Sequence, residues 1–391
     1  MSSPRVVLHA RRAKPFYARH PWVYPGAIAA VEGEPADGAE VDVIAHGGAF
    51  VARGLYNSQS RLRVRLYSWQ PEQPLDETFF RQLVTSAIRL RAEVLRLAGS
   101  RRACRLVFSE GDGLSGLTVD SYDHWLSVQF TSLALAQRRD MITGILRDAL
   151  HPRGIYLRTE RGVGQLEGLE LQDGLLYGEP PPDPLLIEEP SVDGTVVEFL
   201  INMAEGQKTG FYLDQRENRL AVAKYAAGRR VLDAFCYSGG FGLHALRAGA
   251  REVVGVDASE AALDLARLNA AHNGFHKAAY FQADVFDFLQ QAAQQRERFD
   301  LIVLDPPKFA RSRSAIEDAL RGYRRLLTLA HLLLEKDGIL VLCCCSGLIT
   351  WEMLEEVSGQ VAAAARRSAR GRASRCPAAG SCPTAAAATA W

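Results

Sequence analysis

No apolar run in this chain approaches the roughly 18 residues that a membrane span requires. The N-terminal stretch MSSPRVVLHARRAKPF has no h-region of a signal peptide. A cytoplasmic chain with no membrane partner is therefore expected. Cysteines are seven, an odd number, and three stand together as Cys343, Cys344 and Cys345. Neighbours on a strand point to opposite faces, so these form no disulfide framework. Nor do they have the paired spacing of a zinc site, and no metal is expected. A G-x-G-x-x-G dinucleotide fingerprint is also missing after a strand, which argues against nicotinamide chemistry.

What is present is an ordinary globular composition, 48% hydrophobic and 23% charged over 391 residues, long enough for two or three domains. Net charge is only +1, but it is unevenly spread. Residues 1–70 hold nine Lys/Arg against five acids, a basic module suited to a polyanion. Short strand-like runs at Arg5–Leu8, Ala27–Glu32, Glu40–Ile44, Phe50–Tyr56 and Leu62–Ser68 predict a compact β-barrel in residues 1–72. Within it, Arg19 and Trp22 are candidate RNA contacts. Packing of Trp22 and Tyr24 at the barrel rim is the competing reading. Residues 75–188 read as a central α/β domain, with a helix over Thr78–Ala98 and strands at Trp125–Phe130 and Gly154–Leu157.

From about residue 190 to 359 the chain alternates strand and helix, which predicts a doubly wound, Rossmann-like parallel sheet. Its centre is RVLDAFCYSGGFG (Arg230–Gly242): a short buried strand, a glycine-rich turn and a helix start. The turn Tyr237-Ser238-Gly239-Gly240 with Phe241 would present backbone N–H groups to a ligand. Asp257 closes the next strand, where a ribose can be held. Asp284 follows the third strand, in reach of an adenine amino group. Acids closing successive strands favour S-adenosylmethionine as the cofactor, although for each acid a helix N-cap is the structural alternative.

Asp305-Pro306-Pro307-Lys308 follows the fourth strand as a stiff loop at a carboxyl end, where sites on open sheets lie. Cys345 ends the fifth strand and would face the same crevice. A pyrimidine C5 is too poor a nucleophile to take a methyl group unaided. A cysteine adding at C6 makes C5 enamine-like, which is covalent nucleophilic catalysis. Cys343 and Cys344 are more simply packing residues.

Taken together, HPWVYPGAI, ARGLYN, EGDGLSGLTVD, KTGFYLDQR, FCYSGGF, DPPKF and CSGLIT, in this order from about residue 5 to 355, resemble the RlmI-type 23S rRNA cytosine-C5 methyltransferases. The resemblance implies a PUA domain at residues 1–72, a central α/β domain and a class I methyltransferase domain. It implies Cys345 as nucleophile and Asp305 as the group holding the target cytosine, with Pro306, Pro307 and Lys308 on the RNA side. It also places Phe211, Tyr212, Asp214, Gln215 and Arg216 in a cofactor-side segment beside Asp257 and Asp284. The implied partner is 23S rRNA. A homodimer is left open, and the base that removes the C5 proton is unassigned.

Two rival readings stand beside this one. An amino-directed nucleic-acid methyltransferase could use the DPPK loop without a thiol. An RNA-binding protein could keep the fold without the activity. From Gln360 to the end the sequence holds 13 Ala, five Arg and no acid. This Ala/Arg-rich tail, 360–391, is expected to be disordered or out of frame, leaving no strand beyond the cysteine strand.

Overall fold

The computed structural model describes residues 4–159 and 162–365, together with the backbone of 385–390. The chain divides into two compact units: Met1–Ile187 with Ile201–Phe211, and Glu188–Leu200 with Tyr212–Trp391. Among the described residues, no helix is long and apolar enough to cross a membrane.

The first unit holds two sheets. Six strands order in space as Trp22–Val23, Val64–Ser68, Phe50–Tyr56, Glu40–Ile44, Arg5–Leu8 and Ile28–Glu32. Their alternating inward residues, among them Val6, Leu8, Val41, Val43, Val51, Val64 and Leu66, make one small core. A second sheet of five strands, Gly174–Gly178, Gly154–Leu157, Trp125–Phe130, Leu117–Tyr122 and Ala103–Phe108, is joined by helices Glu77–Arg89 and Arg139–Leu150. The helix expected through Ala98 is α-helical only to Arg89 and then loosens into a π turn, Leu90–Val94. Both Leu90 and Val94 are exposed there, so the apolar spacing that suggested a longer helix has no core to bury against. The GDGLSGLTVD segment is a wide turn followed by a strand. Asp120 on that strand is fully buried and paired with Arg105.

The second unit is built on one sheet, ordered Ala278–Gln282, Glu252–Asp257, Arg230–Ala234, Phe299–Leu304, Leu334–Cys344 and Ala385–Ala390. The first five strands run parallel. They read as near-continuous apolar runs because helices cover both faces. Val231, Val253, Leu301, Val303, Val341 and Cys343 pack to one side, while Leu232, Val256, Ile302, Leu304, Leu342 and Cys344 pack to the other. The two cysteines therefore lie on opposite faces, and Cys345 stands one residue past the strand end.

Two helices were not expected from the sequence. Val285–Gln294 is capped by Asp284, and Trp351–Ala364 is capped by Thr350. The latter carries regular structure past residue 359. The tail also differs from expectation, because Ala385–Ala390 pairs antiparallel along the cysteine strand, from Ile339↔Ala390 to Cys344↔Ala385. Such a ladder is made by main-chain groups and needs no alternating apolar pattern, which is why none was visible. The rest of the tail, 366–384 and 391, lies outside the described residues.

Candidate active site

The glycine turn concentrates backbone conformations that L-residues avoid. Phe235, Tyr237 and Gly239 have φ of +63°, +48° and +82°, a density of left-handed residues that marks functional turns. The turn is braced from below. Asp233, on the strand before it, accepts the Gly242 N–H through Oδ2 at 2.8 Å. Asp257 accepts the Tyr237 N–H at 2.9 Å and the Ser259 N–H at 2.9 Å. Gly239 could carry no side chain, since a Cβ there would come within 2.8 Å of the Tyr280 hydroxyl. Gly255 is equally constrained, its Cβ position lying 2.5 Å from the Tyr280 ring.

Asp233 is fully buried, and its Oδ1 has no hydrogen-bond partner. Burial pushes its carboxyl up to about 7 from the ordinary 3.8, against the pull of the Gly242 N–H and with help from the Asp305 and Asp257 charges. The buried Tyr280 hydroxyl likewise lacks a partner. The helix Gly240–Arg247 starts at Gly239 with no side-chain cap. Two orphaned polar atoms, a helix N-terminus and a glycine cradle fit a polar ligand that carries a carboxylate, such as S-adenosylmethionine.

Of the acids proposed for the cofactor, Asp257 lies against the turn, each carboxylate oxygen accepting a main-chain N–H. Asp284 instead spends one carboxylate oxygen on capping its own helix, accepting from Phe286 N–H at 2.8 Å and Asp287 N–H at 3.2 Å. It is exposed, so the capping alternative describes what it does in this structure. Ser238, Gly239, Gly240 and Phe241 are buried in the turn and helix start. Tyr237 packs edge-on against Tyr212, ring centroids 5.4 Å apart. Asp214 and Gln215 lie on the short turn Leu213–Gln215 that opens helix Arg216–Ala223. Phe211 falls in the first unit, where its N–H donates to the buried Tyr122 hydroxyl at 3.1 Å.

Asp305 follows the Phe299–Leu304 strand, and its N–H donates to Ala234 O at 3.3 Å. Its Oδ2 accepts from Gln215 Nε2 at 2.9 Å. Cys345 is partly exposed, with Sγ 3.8 Å from the Pro306 carbonyl oxygen. The nucleophile candidate and the DPPK loop thus meet at the ends of neighbouring parallel strands. Tyr212 belongs to the same cluster: burial, then the Asp305 charge, raises its phenol well above the ordinary value, and Cys345 contributes as well. Pro307 and Lys308 are exposed beyond them. Cys343 and Cys344 are buried, Cys344 accepting from the Tyr323 hydroxyl at 3.2 Å.

In the first unit, Trp22 donates its indole N–H to Glu110 Oε1 at 2.9 Å. Arg19 lies 5.7 Å from the centre of the Trp69 ring. Among the described residues, no group of three or more His, Cys, Asp or Glu could hold a metal ion.

Sequence reasoning missed a buried ionic cluster behind the glycine turn. Arg219, 3% exposed, makes a two-pronged bond to Glu189, which also pairs with His244 Nε2 at 3.0 Å. Burial alone would raise the Glu189 carboxyl, but Arg219 and His244 outweigh it and hold it at about 2. Arg219 also donates to the Tyr212 carbonyl at 3.1 Å, and its Cδ lies 3.0 Å from where a Gly240 Cβ would be. Glu189 stands far from the other two in sequence and within no glycine or DPPK motif, so nothing in the sequence marked it as their partner.

Residues 6–69 match the family model of a PUA-like domain, and residues 183–376 match that of an S-adenosylmethionine-dependent methyltransferase. The protein named ribosomal RNA large subunit methyltransferase I of Aeromonas salmonicida (strain A449) is 40% identical over 361 residues, covering 92% of this chain and 90% of that one. The protein of the same name from Escherichia coli O139:H28 is 38% identical over 367 residues, 93% and 91% of the two chains. Among solved structures, a methyltransferase complexed with SAH has a TM-score of 0.82 at 20% identity, covering 99% of this chain and 100% of its own, a likeness of fold.

Proposed function

This chain belongs to the family of ribosomal RNA large subunit methyltransferase I, and on that premise we propose that it methylates C5 of a cytosine in 23S rRNA through a Cys345 adduct. It is an S-adenosylmethionine-dependent enzyme with a PUA-like domain. The observation that carries the cytosine-C5 reading is the Cys345 thiol beside the Asp305-Pro306 loop, 3.8 Å from the Pro306 carbonyl. An amino-directed enzyme would have no use for a thiol at that point.

When bound, S-adenosylmethionine supplies an electrophilic methyl group on a sulfonium. The target base must be turned out of its stack for the thiol to reach it. Asp305 then holds the amino edge of the cytosine through a carboxylate oxygen, which fixes the ring over Cys345. The Cys345 thiolate forms a bond to C6, and the displaced electron pair makes C5 nucleophilic. C5 takes the methyl group, its own proton leaves to a base, and the returning electron pair breaks the C6–S bond to free the thiolate. Asp257 and the Tyr237–Phe241 turn hold the cofactor in this scheme, and the PUA-like module with Arg19 and Trp22 contacts the RNA.

Two measurements test the reading on an unmodified 23S rRNA transcript. Bisulfite sequencing should show one newly protected cytosine with the wild-type chain and none with Cys345→Ala. A transcript carrying 5-fluorocytidine should form a denaturant-resistant complex with the wild-type chain, since no proton can leave from C5. Full methylation by the Cys345→Ala variant would end the covalent scheme.

A further inference from the structure

Gln215 was expected on the cofactor side, yet its side chain turns to Asp305. It is 3% exposed. Its Nε2 donates to Asp305 Oδ2 at 2.9 Å, and its Oε1 accepts from Asn218 Nδ2 at 2.6 Å. Asn218, one helical turn on, is 2% exposed. An ionised carboxylate can only accept, so the amide of Gln215 must present its nitrogen to Asp305 and its oxygen to Asn218. Asn218, donating to that oxygen, completes the orientation that Asp305 requires.

Asp305 needs such a lock. Its charge is felt at Asp233, Tyr212, Tyr323 and Cys343. A hydrogen bond to the charged form favours that form and fixes the plane of the carboxylate. We infer that Gln215 and Asn218 are positioning residues that orient the Asp305 carboxylate. The inference rests on the proposed role of Asp305 as the cytosine contact.

Three variants on the full chain test it, with an unmodified 23S rRNA transcript and S-adenosylmethionine. Asn218→Asp keeps the side-chain shape but demands a donor from Gln215, so the amide must turn its oxygen to Asp305. It should lower kcat about 10- to 100-fold, the size of one charge-assisted hydrogen bond. Gln215→Leu should lose a similar factor. Gln215→Glu can donate to Asp305 only when protonated, so its rate should rise as pH falls from 8 to 6, while the Leu variant shows no such gain. The Kd for S-adenosylmethionine, measured by titration calorimetry, should stay within about twofold throughout.

A cofactor Kd weakened by the same factor as the rate, with kcat restored at saturation, would make Gln215 a cofactor residue and overturn the inference. So would wild-type kcat in Asn218→Asp alongside an inactive Asp305→Ala. If Asp305→Ala itself methylates normally, it is the cytosine reading of Asp305 that fails.

Discussion

The buried carboxyl of Asp233 should make the stability of the ligand-free protein fall as pH rises, and Asp233→Asn should abolish that fall. In the folded chain the group sits at about 7, against an ordinary 3.8 in the unfolded chain. Between these values the folded state holds a proton that the unfolded state has released. Stability contributed by the protonated group is therefore fully present below about pH 4 and is lost as pH climbs to 7. From pH 5 to pH 8 the loss amounts to about 3 kcal/mol at 1.36 kcal/mol per unit.

Asparagine keeps an acceptor facing the Gly242 N–H and carries no charge at any pH, so it isolates the titration from the hydrogen bond. Urea melts of ligand-free wild type and variant at pH 5 and pH 8, compared as a difference, cancel every other titrating group. The variant should gain about 3 kcal/mol relative to wild type over that interval. If the difference between the two proteins were the same at both pH values, Asp233 would not be held protonated by burial, and the account of its unpartnered oxygen would be wrong.

Other consequences follow from neighbouring contacts. Glu189→Gln, which strips the charge facing both Arg219 and His244, should destabilise by about 3–5 kcal/mol, as removal of one partner of a buried pair does, read as a lowered urea midpoint. In wild type, Glu189 is held at about 2 below its ordinary 4.5, so its contribution is present above pH 4.5 and lost as pH falls toward 2. The variant's acid limb should be correspondingly shallower in melts between pH 3 and pH 5. Gly255→Val must push Tyr280 off the glycine turn, and calorimetry should show S-adenosylmethionine binding weakened at least tenfold; unchanged binding would remove Tyr280 from the cofactor wall. Thr350→Ala deletes the cap that accepts the Met353 N–H and should cost about 1 kcal/mol, again read from the urea midpoint.

Elements with a strong period were legible from the sequence. Glu40–Ile44 alternates cleanly, both it and Phe50–Tyr56 appear with the bounds expected, and helix Glu260–His272 differs by one residue. The parallel strands were legible for the opposite reason, being apolar on both faces. Two elements were missed for different reasons. The helix Val285–Gln294 buries Val285, Leu289 and Ala292 at helical spacing, a pattern passed over for the acid that caps it, Asp284. The pairing of Ala385–Ala390 is a backbone ladder with no alternation to announce it.

The candidate site divides in the same way. Residue types at strand ends were visible, because chemistry on an open parallel sheet is confined there, and Asp257, Asp305 and Cys345 all stand at or just past such ends. Partners were not visible. Gln215 and Asp305 are 90 residues apart in the chain, and Glu189 and His244 are 55 apart. Spacing says nothing about contacts at that separation. A glutamine inside a segment otherwise suited to the cofactor is assigned to the cofactor by proximity in sequence, whereas hydrogen-bond complementarity assigns it to whichever neighbour can only accept. That constraint operates only once Asn218 has taken the amide oxygen. The role of Gln215 is therefore fixed by three side chains together, and a sequence motif that contains two of them could not express it.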